Sequence, residues 1–384
     1  MSVTIHQEPS NYNLSGNPLV VVFSSDETAQ DNFSYKVEIY VNSVLVESHK
    51  LFPQFGIKSH IDISDVAERY CDIPTTPSGV CIDAGNYVDV EVKVIENYGT
   101  TPTDHLNDSS TFKVYKGKQS KINFLEWTPS DYSFGIDKSW LTTFPSAEKR
   151  YTKLSYNHYC MFITNSISLK YSISLYDSSG SLIQTIKLSS FTAWGDITTF
   201  NINETTLLGV GFPRSRVDSA ARIDVKLFDN VGNYASTYVV YVDDRCISSK
   251  PYQLHFLSRI GSLESYFFIK KTNYNTSIKS SEFEKQFGYF DSDGNWAYNV
   301  GGVGDYIKEL EDGIEVQTDW LNDDEYQWLC ENFLTSPLVY FEINGEIYRC
   351  KVSESSYKLK TNTYDMVYSL KAKLIIERNT TTVV

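Results

Sequence analysis

Along much of this chain apolar and polar residues alternate with a period of two, as in strands that bury one face. From Phe33 to Val41 the residues Phe33, Tyr35, Val37, Ile39 and Val41 fall on one side, and Ser34, Lys36, Glu38 and Tyr40 on the other. Residues 86–94 repeat the pattern with Val88, Val90, Val92 and Val94. A hairpin is predicted over 169–188, turning at Asp177-Ser178-Ser179-Gly180. Between these strands, 61–70 holds one helical turn capped at Ser64, and the polar run Asn97 to Ser110 reads as a loop.

The alternation also recurs at longer range. Residues 90–99 align without gaps on 223–232, keeping the apolar or polar character of each position through the turns Glu96-Asn97-Tyr98-Gly99 and Asp229-Asn230-Val231-Gly232. Residues 35–40 match 171–176, and 60–65 loosely match 199–204, at a nearly constant separation. A domain copied in tandem explains this. Chance similarity between alternating strands is the competing explanation, and the shared turn weighs against it.

Past a linker around Arg245 to Pro251 the pattern changes. Strands are predicted at 252–257 and 266–270, and a hairpin over 290–298. Asn322 then fits an N-cap, with Glu325 placed as a capping box requires and Leu321 able to staple to Tyr326. Tyr326, Leu329, Cys330, Phe333 and Leu334 follow at helical spacing, and Pro337 stops the run. Asn344-Gly345 between two apolar runs is a strong hairpin signal, and a closing strand alternates from Met366 to Ile376. The predicted fold is mainly β. Two tandem immunoglobulin-like β-sandwich domains occupy 1–120 and 121–247, and a β-rich C-terminal domain over 248–384 carries one short amphipathic helix at 322–335.

Composition supports this fold class. The 384 residues include 28 Tyr and 21 Phe but only 3 Met, a bias toward pleated surfaces. The net charge of −14 argues against specific nucleic-acid binding and against anionic membranes, since phosphate is bound mainly by Lys and Arg. The first residues show neither the basic nor the apolar region of a signal peptide, and apolar runs such as Leu19 to Phe23 are too short to span a bilayer. Six cysteines, with Cys71 and Cys81 the closest pair, fit buried reduced thiols better than a disulfide framework.

Chemical motifs are sparse. Asp291-Ser292-Asp293-Gly294-Asn295 echoes a calcium loop but lacks the distal ligands, so a hairpin turn is the better reading. Val300 to Gly304 is glycine-rich without the Lys-Ser/Thr of a phosphate loop, and reads as a flexible loop. The six histidines are scattered, and Asp323-Asp324-Glu325 suits the first turn of a helix. No catalytic, cofactor-binding or metal-binding residue is assigned. Four tryptophans are candidate interface residues. Trp194 sits beside Gly195 in a loop, where it would stack on a sugar or anchor a protein, with core packing the competing use. Trp140 lies in the irregular stretch 118–159 together with Trp127, and Trp320 precedes the helix. Trp328 lies off the helix's apolar stripe, where an exposed Trp is an interface candidate and where the sandwiches could equally cover it.

Two stretches resemble tail-associated structural proteins of tailed phages of gut anaerobes, the crAss-like group included. One is Pro18 to Ser24 with Phe33 to Asn42 and His60 to Ser64; the other is Leu254 to Gly261, the acidic helix, Ser336 to Phe341 and the closing strand. The resemblance implies a virion component assembled in host cytoplasm, in a ring of its own copies against neighbouring tail or portal proteins. Net acidity would suit a passage through which DNA slides. It carries over no functional residue. A carbohydrate-binding adhesin or tail-fibre module using loop aromatics is the alternative, and a glycan-active enzyme ranks behind both.

Overall fold

The computed structural model describes residues 3–71, 81–83, 87–120, 132, 140–163, 168–192, 197–228, 236–243, 252–270, 273–285, 287–297, 302–343, 346–353 and 368–382. The chain is mainly β and divides into two compact units. One comprises 1–244 with 256–266, and the other 245–255 with 267–384.

The first unit contains two sandwiches. In the first, β1 (Thr4–Gln7), β3 (Val20–Ser24) and β6 (Lys58–Asp62) form one sheet in the order β1-β3-β6. The facing sheet runs β2-β9-β8-β4-β5, built from β2 (Tyr12–Leu14), β4 (Ser34–Val41), β5 (Val44–Leu51), β8 (Tyr87–Tyr98) and β9 (Thr103–Tyr115). The alternation predicts the inner face correctly: Tyr35, Val37, Ile39, Val92 and Val94 are fully buried in one core with Phe23 and Val21. Burying each such side chain is worth roughly 1.5–3 kcal/mol. The Phe23 and Phe33 rings both meet Tyr35 edge-on at 4.9 Å. Asn42 and Ser43 turn the β4–β5 hairpin with φ of 49° and 65°, the left-handed pair that a tight two-residue hairpin needs.

Two local expectations change. The polar stretch 97–110 is not a loop: most of it continues β8 and β9 as a hairpin whose residues are exposed on both faces, so no alternation marks it. The helix α1 (Ser64–Tyr70) forms, but Ser64 is its first residue. Asp62 performs the capping, its Oδ1 accepting from Ser64 N at 3.0 Å and Leu19 N at 3.1 Å.

The second sandwich repeats this strand order. Its larger sheet runs β10-β16-β15-β12-β13, from β10 (Tyr151–Thr152), β12 (Ser168–Tyr176), β13 (Leu182–Thr192), β15 (Arg222–Phe228) and β16 (Tyr238–Val242). In each sandwich the short first strand of this larger sheet pairs in parallel with the last, β2 on β9 and β10 on β16. The aligned stretches 90–99 and 223–232 place their strands β8 and β15 at the centre of equivalent sheets. The smaller sheet pairs β11 (His158–Ile163) with β14 (Ile197–Ile202), and β7 (Cys81–Asp83), from the first half of the chain, adds to its edge with Ile82 opposite Thr199. No period in the sequence announces that exchange. Helices α2 (Glu204–Gly209) and α3 (Arg214–Asp218) cover one end, α2 capped by Asn203 Oδ1 accepting from Thr206 N at 2.7 Å.

A seven-stranded sheet runs in the order β18-β17-β23-β24-β25-β22-β19, and its strands β19, β22, β23, β24 and β25 belong to the second unit. Its strands are β17 (Tyr252–Leu257), β18 (Leu263–Phe268), β19 (Asn273–Lys285), β22 (Gly302–Gln317), β23 (Val339–Ile343), β24 (Glu346–Val352) and β25 (Lys371–Thr382). The β23–β24 register sets Ile343 opposite Glu346, so two residues connect them, while the Asn344-Gly345 turn itself lies outside the described residues. The strand β20 (Tyr289–Phe290) pairs with β21 (Trp296–Ala297) around the Asp291 turn, as expected. Residues 302–304, expected in a flexible loop, instead begin β22, where the Phe283 ring lies over Gly304.

The helix also departs from its pattern. α4 (Asp323–Trp328) starts as predicted, Asn322 Oδ1 accepting from Glu325 N at 2.8 Å, but residues 329–333 open into a π turn in which Leu334 N donates to Leu329 O. Trp328, Leu329, Cys330, Asn332 and Phe333 are all buried there. Burial no longer follows one stripe. Asn332 Nδ2 donates to the Trp328 carbonyl at 3.0 Å, meeting an acceptor within the widened turn.

Candidate protein interface

The candidate tryptophans that the structure describes are not all exposed. Trp140 is 3% exposed; its indole donates to Ser236 O at 2.6 Å and packs on Phe162 and Tyr238 at 5.5 and 5.2 Å between centroids. Trp328 is 4% exposed, at the start of the π turn whose Leu329, Cys330, Asn332 and Phe333 are also buried. Both are core residues, which corrects the reading of Trp140 and Trp328 as interface candidates. Trp194 lies outside the described residues. Trp320 alone of the three described here is on the surface, 67% exposed, with Lys270 Nζ 4.8 Å from its ring centre and Asp319 beside that amine at 3.6 Å.

The larger exposed feature went unmarked in the sequence. β19 is 13 residues long and forms the edge of the seven-stranded sheet, paired only with β22 among the described strands. At about 3.3 Å per residue it extends roughly 40 Å. Cross-strand register places Tyr274 opposite Ile314, and Ile314 opposite Leu374; four residues further along, Ile278 stands opposite Leu310 on the same face. Ile314 and Leu374 are fully buried, whereas Tyr274 is 60% and Ile278 64% exposed. An apolar stripe therefore begins in the core of this unit and runs out along the ribbon into solvent. Phe287, Phe290, Val303 and Tyr306 extend the apolar exposure around the outer end. A long sheet edge bearing large apolar side chains is a surface that other chains pair with, and proteins usually shield it.

Chemistry is scarce elsewhere. Among the described residues no three or more His, Cys, Asp or Glu side chains come together as a metal site. The Asp291 carboxylate is spent on its own turn, accepting from Asp293 N at 3.0 Å and Asn295 N at 2.8 Å, with Gly294 at φ 79°. His158 and His255 are buried strand residues; His158 Nε2 meets Tyr238 OH at 3.1 Å. Burial pushes the Tyr238 phenol far above its usual range, which suits a structural hydrogen bond rather than proton transfer. Among the described residues no helix is long and apolar enough to cross a membrane.

No family model matches this chain, and no curated protein does. Two solved structures are similar in outline. Fibronectin(III)-like modules of Clostridium thermocellum CbhA align at 10% identity over 62% of this chain and 92% of theirs, with a TM-score of 0.17. A marsupial T cell receptor aligns at 7% identity over 82% of this chain and 96% of its own, with a TM-score of 0.20. At such scores neither likeness says what this chain does.

Proposed function

We propose that this protein is a non-catalytic structural subunit that works by contact with other protein chains. The observation that carries this is the β19–β22 ribbon, whose β19 edge no described strand covers and whose apolar stripe is continuous with the core. β-Strand addition and face packing both use such an edge, main-chain hydrogen bonds giving affinity and side chains register. The sequence resemblance to phage tail proteins narrows the proposal to a tail or portal-proximal ring subunit, assembled from its own copies and adjoining tail or portal proteins. The virion is then its location.

Mass photometry and electron microscopy of the purified chain, alone and with tail proteins, test this. Oligomers or decorated particles are expected, and an Ile278→Lys substitution, at an exposed position, should abolish them without lowering the melting temperature. A chain that remains single and joins no particle would defeat the proposal.

A further inference from the structure

A half-open cleft of about 610 Å³ lies between β16 of the second sandwich and residues 142–150, which precede β10. Arg150 stands in its wall. The guanidinium is held between two rings, 4.6 Å from the Phe144 centroid and 4.5 Å from that of Tyr238, and it donates to Thr142 Oγ1 at 3.3 Å. Among the described residues no carboxylate lies within ion-pair distance of Arg150 or of its neighbour Lys149, whose amine sits 5.1 Å above the Tyr241 ring. Arg222 also lines the cleft, but Asp224 neutralises it at 2.7 Å. Glu148 is the one acidic side chain in the lining.

These charges specify a ligand. A half-buried guanidinium with no acid within ion-pair distance among the described residues is unusual, and more so in a chain of net charge −14. Two rings fix its plane, leaving a fork set for a planar oxyanion. Arg150 and Lys149 against Glu148 leave about one positive charge, which balances a singly charged carboxylate better than a phosphate dianion. Trp140, Phe144 and Tyr238 are 3%, 8% and 5% exposed, so Phe144 and Tyr238 hold Arg150, Trp140 backs Tyr238, and none of the three stacks on a ligand. The remaining lining includes the hydroxyls of Thr142, Ser146 and Thr237. The volume falls within the roughly 300–1,000 Å³ of small-molecule sites.

We propose that this cleft binds a hydroxylated monocarboxylate of the sugar-acid class. Arg150 and Lys149 take its carboxylate, and the threonine and serine hydroxyls take its hydroxyl groups. This binding does not depend on the assembly role of the ribbon.

Calorimetric titration of the full chain with glucuronate, glucose and inorganic phosphate, in separate runs, tests the proposal. Glucuronate should bind at least about tenfold more tightly than either of the others, the worth of one charge-assisted pair. Arg150→Gln should lose about tenfold or more, and Lys149→Ala, at an exposed position, a few-fold. If Arg150→Gln fails to melt cooperatively, Lys149→Glu decides, because it reverses a charge without touching the core. Absence of glucuronate binding, equal binding of glucose, tighter binding of phosphate, or unchanged affinity in the folded variants would each overturn the assignment.

Discussion

His255 Nε2 lies 2.9 Å from Glu342 Oε2, and the two side chains are 0% and 1% exposed. They join β17 to β23 inside the second unit, where a polar group left without a partner costs far more than on the surface. Glu342→Ala should therefore lower stability by about 1–3 kcal/mol, while Glu342→Gln, which keeps an acceptor, should lose less. Urea unfolding monitored by fluorescence checks the order. An alanine variant as stable as the parent would show that the pair is dispensable.

Gly261 makes a sharper prediction. Its φ is 80°, and a Cβ there would run into the Lys116 carbonyl and the Tyr115 ring. Both obstacles are anchored, Tyr115 being fully buried. Gly261→Ala combines left-handed backbone strain with a clash, and should destabilise by about 3 kcal/mol. Gly180, also at positive φ but with open space around it, should lose only the strain part when changed to alanine. Comparing the two melting temperatures separates crowding from strain.

The thiols should be inert in the native protein. Burial pushes the Cys350 thiol up to about 12 and Cys330 up to about 11, against an ordinary 9.0. The thiolate is the reactive form, so at mild alkaline pH neither should alkylate until the chain unfolds. Peptide mass spectrometry after iodoacetamide, with and without urea, reads this directly. Native labelling of either cysteine would contradict the burial described here.

Acid should weaken the first sandwich through one small cluster. Lys36 Nζ reaches Asp104 Oδ2 at 2.7 Å and Glu38 Oε1 at 2.8 Å, and these bonds to Lys36 hold both carboxyls below their ordinary values of 3.8 and 4.5. Carboxyls depressed by folding bind protons less readily in the native state. Their contribution is complete above those ordinary values and disappears as pH falls below them. The pair is partly exposed, so the amount is at most about 1 kcal/mol. Asp104→Asn should flatten the acid limb of a melting-temperature profile; an identical limb would remove the cluster from the account.

What the sequence determined is local. Alternation put Tyr35, Val37 and Ile39 in a core because the period of a strand leaves no other face for them. The cap at Asn322 formed because its acceptor and the Glu325 amide lie within one turn. Asn42-Ser43 was also legible in principle, as a polar pair between two apolar runs. Tertiary structure decided the rest. Trp328 is core although the helical period sets it off the apolar stripe, and the addition of β7 beside β14 joins strands more than 100 residues apart. The cleft depends on Phe144 and Tyr238 closing on Arg150 from different elements. Strand periodicity reports which face is buried, but not what buries it, so partners and sites appear only when distant segments meet.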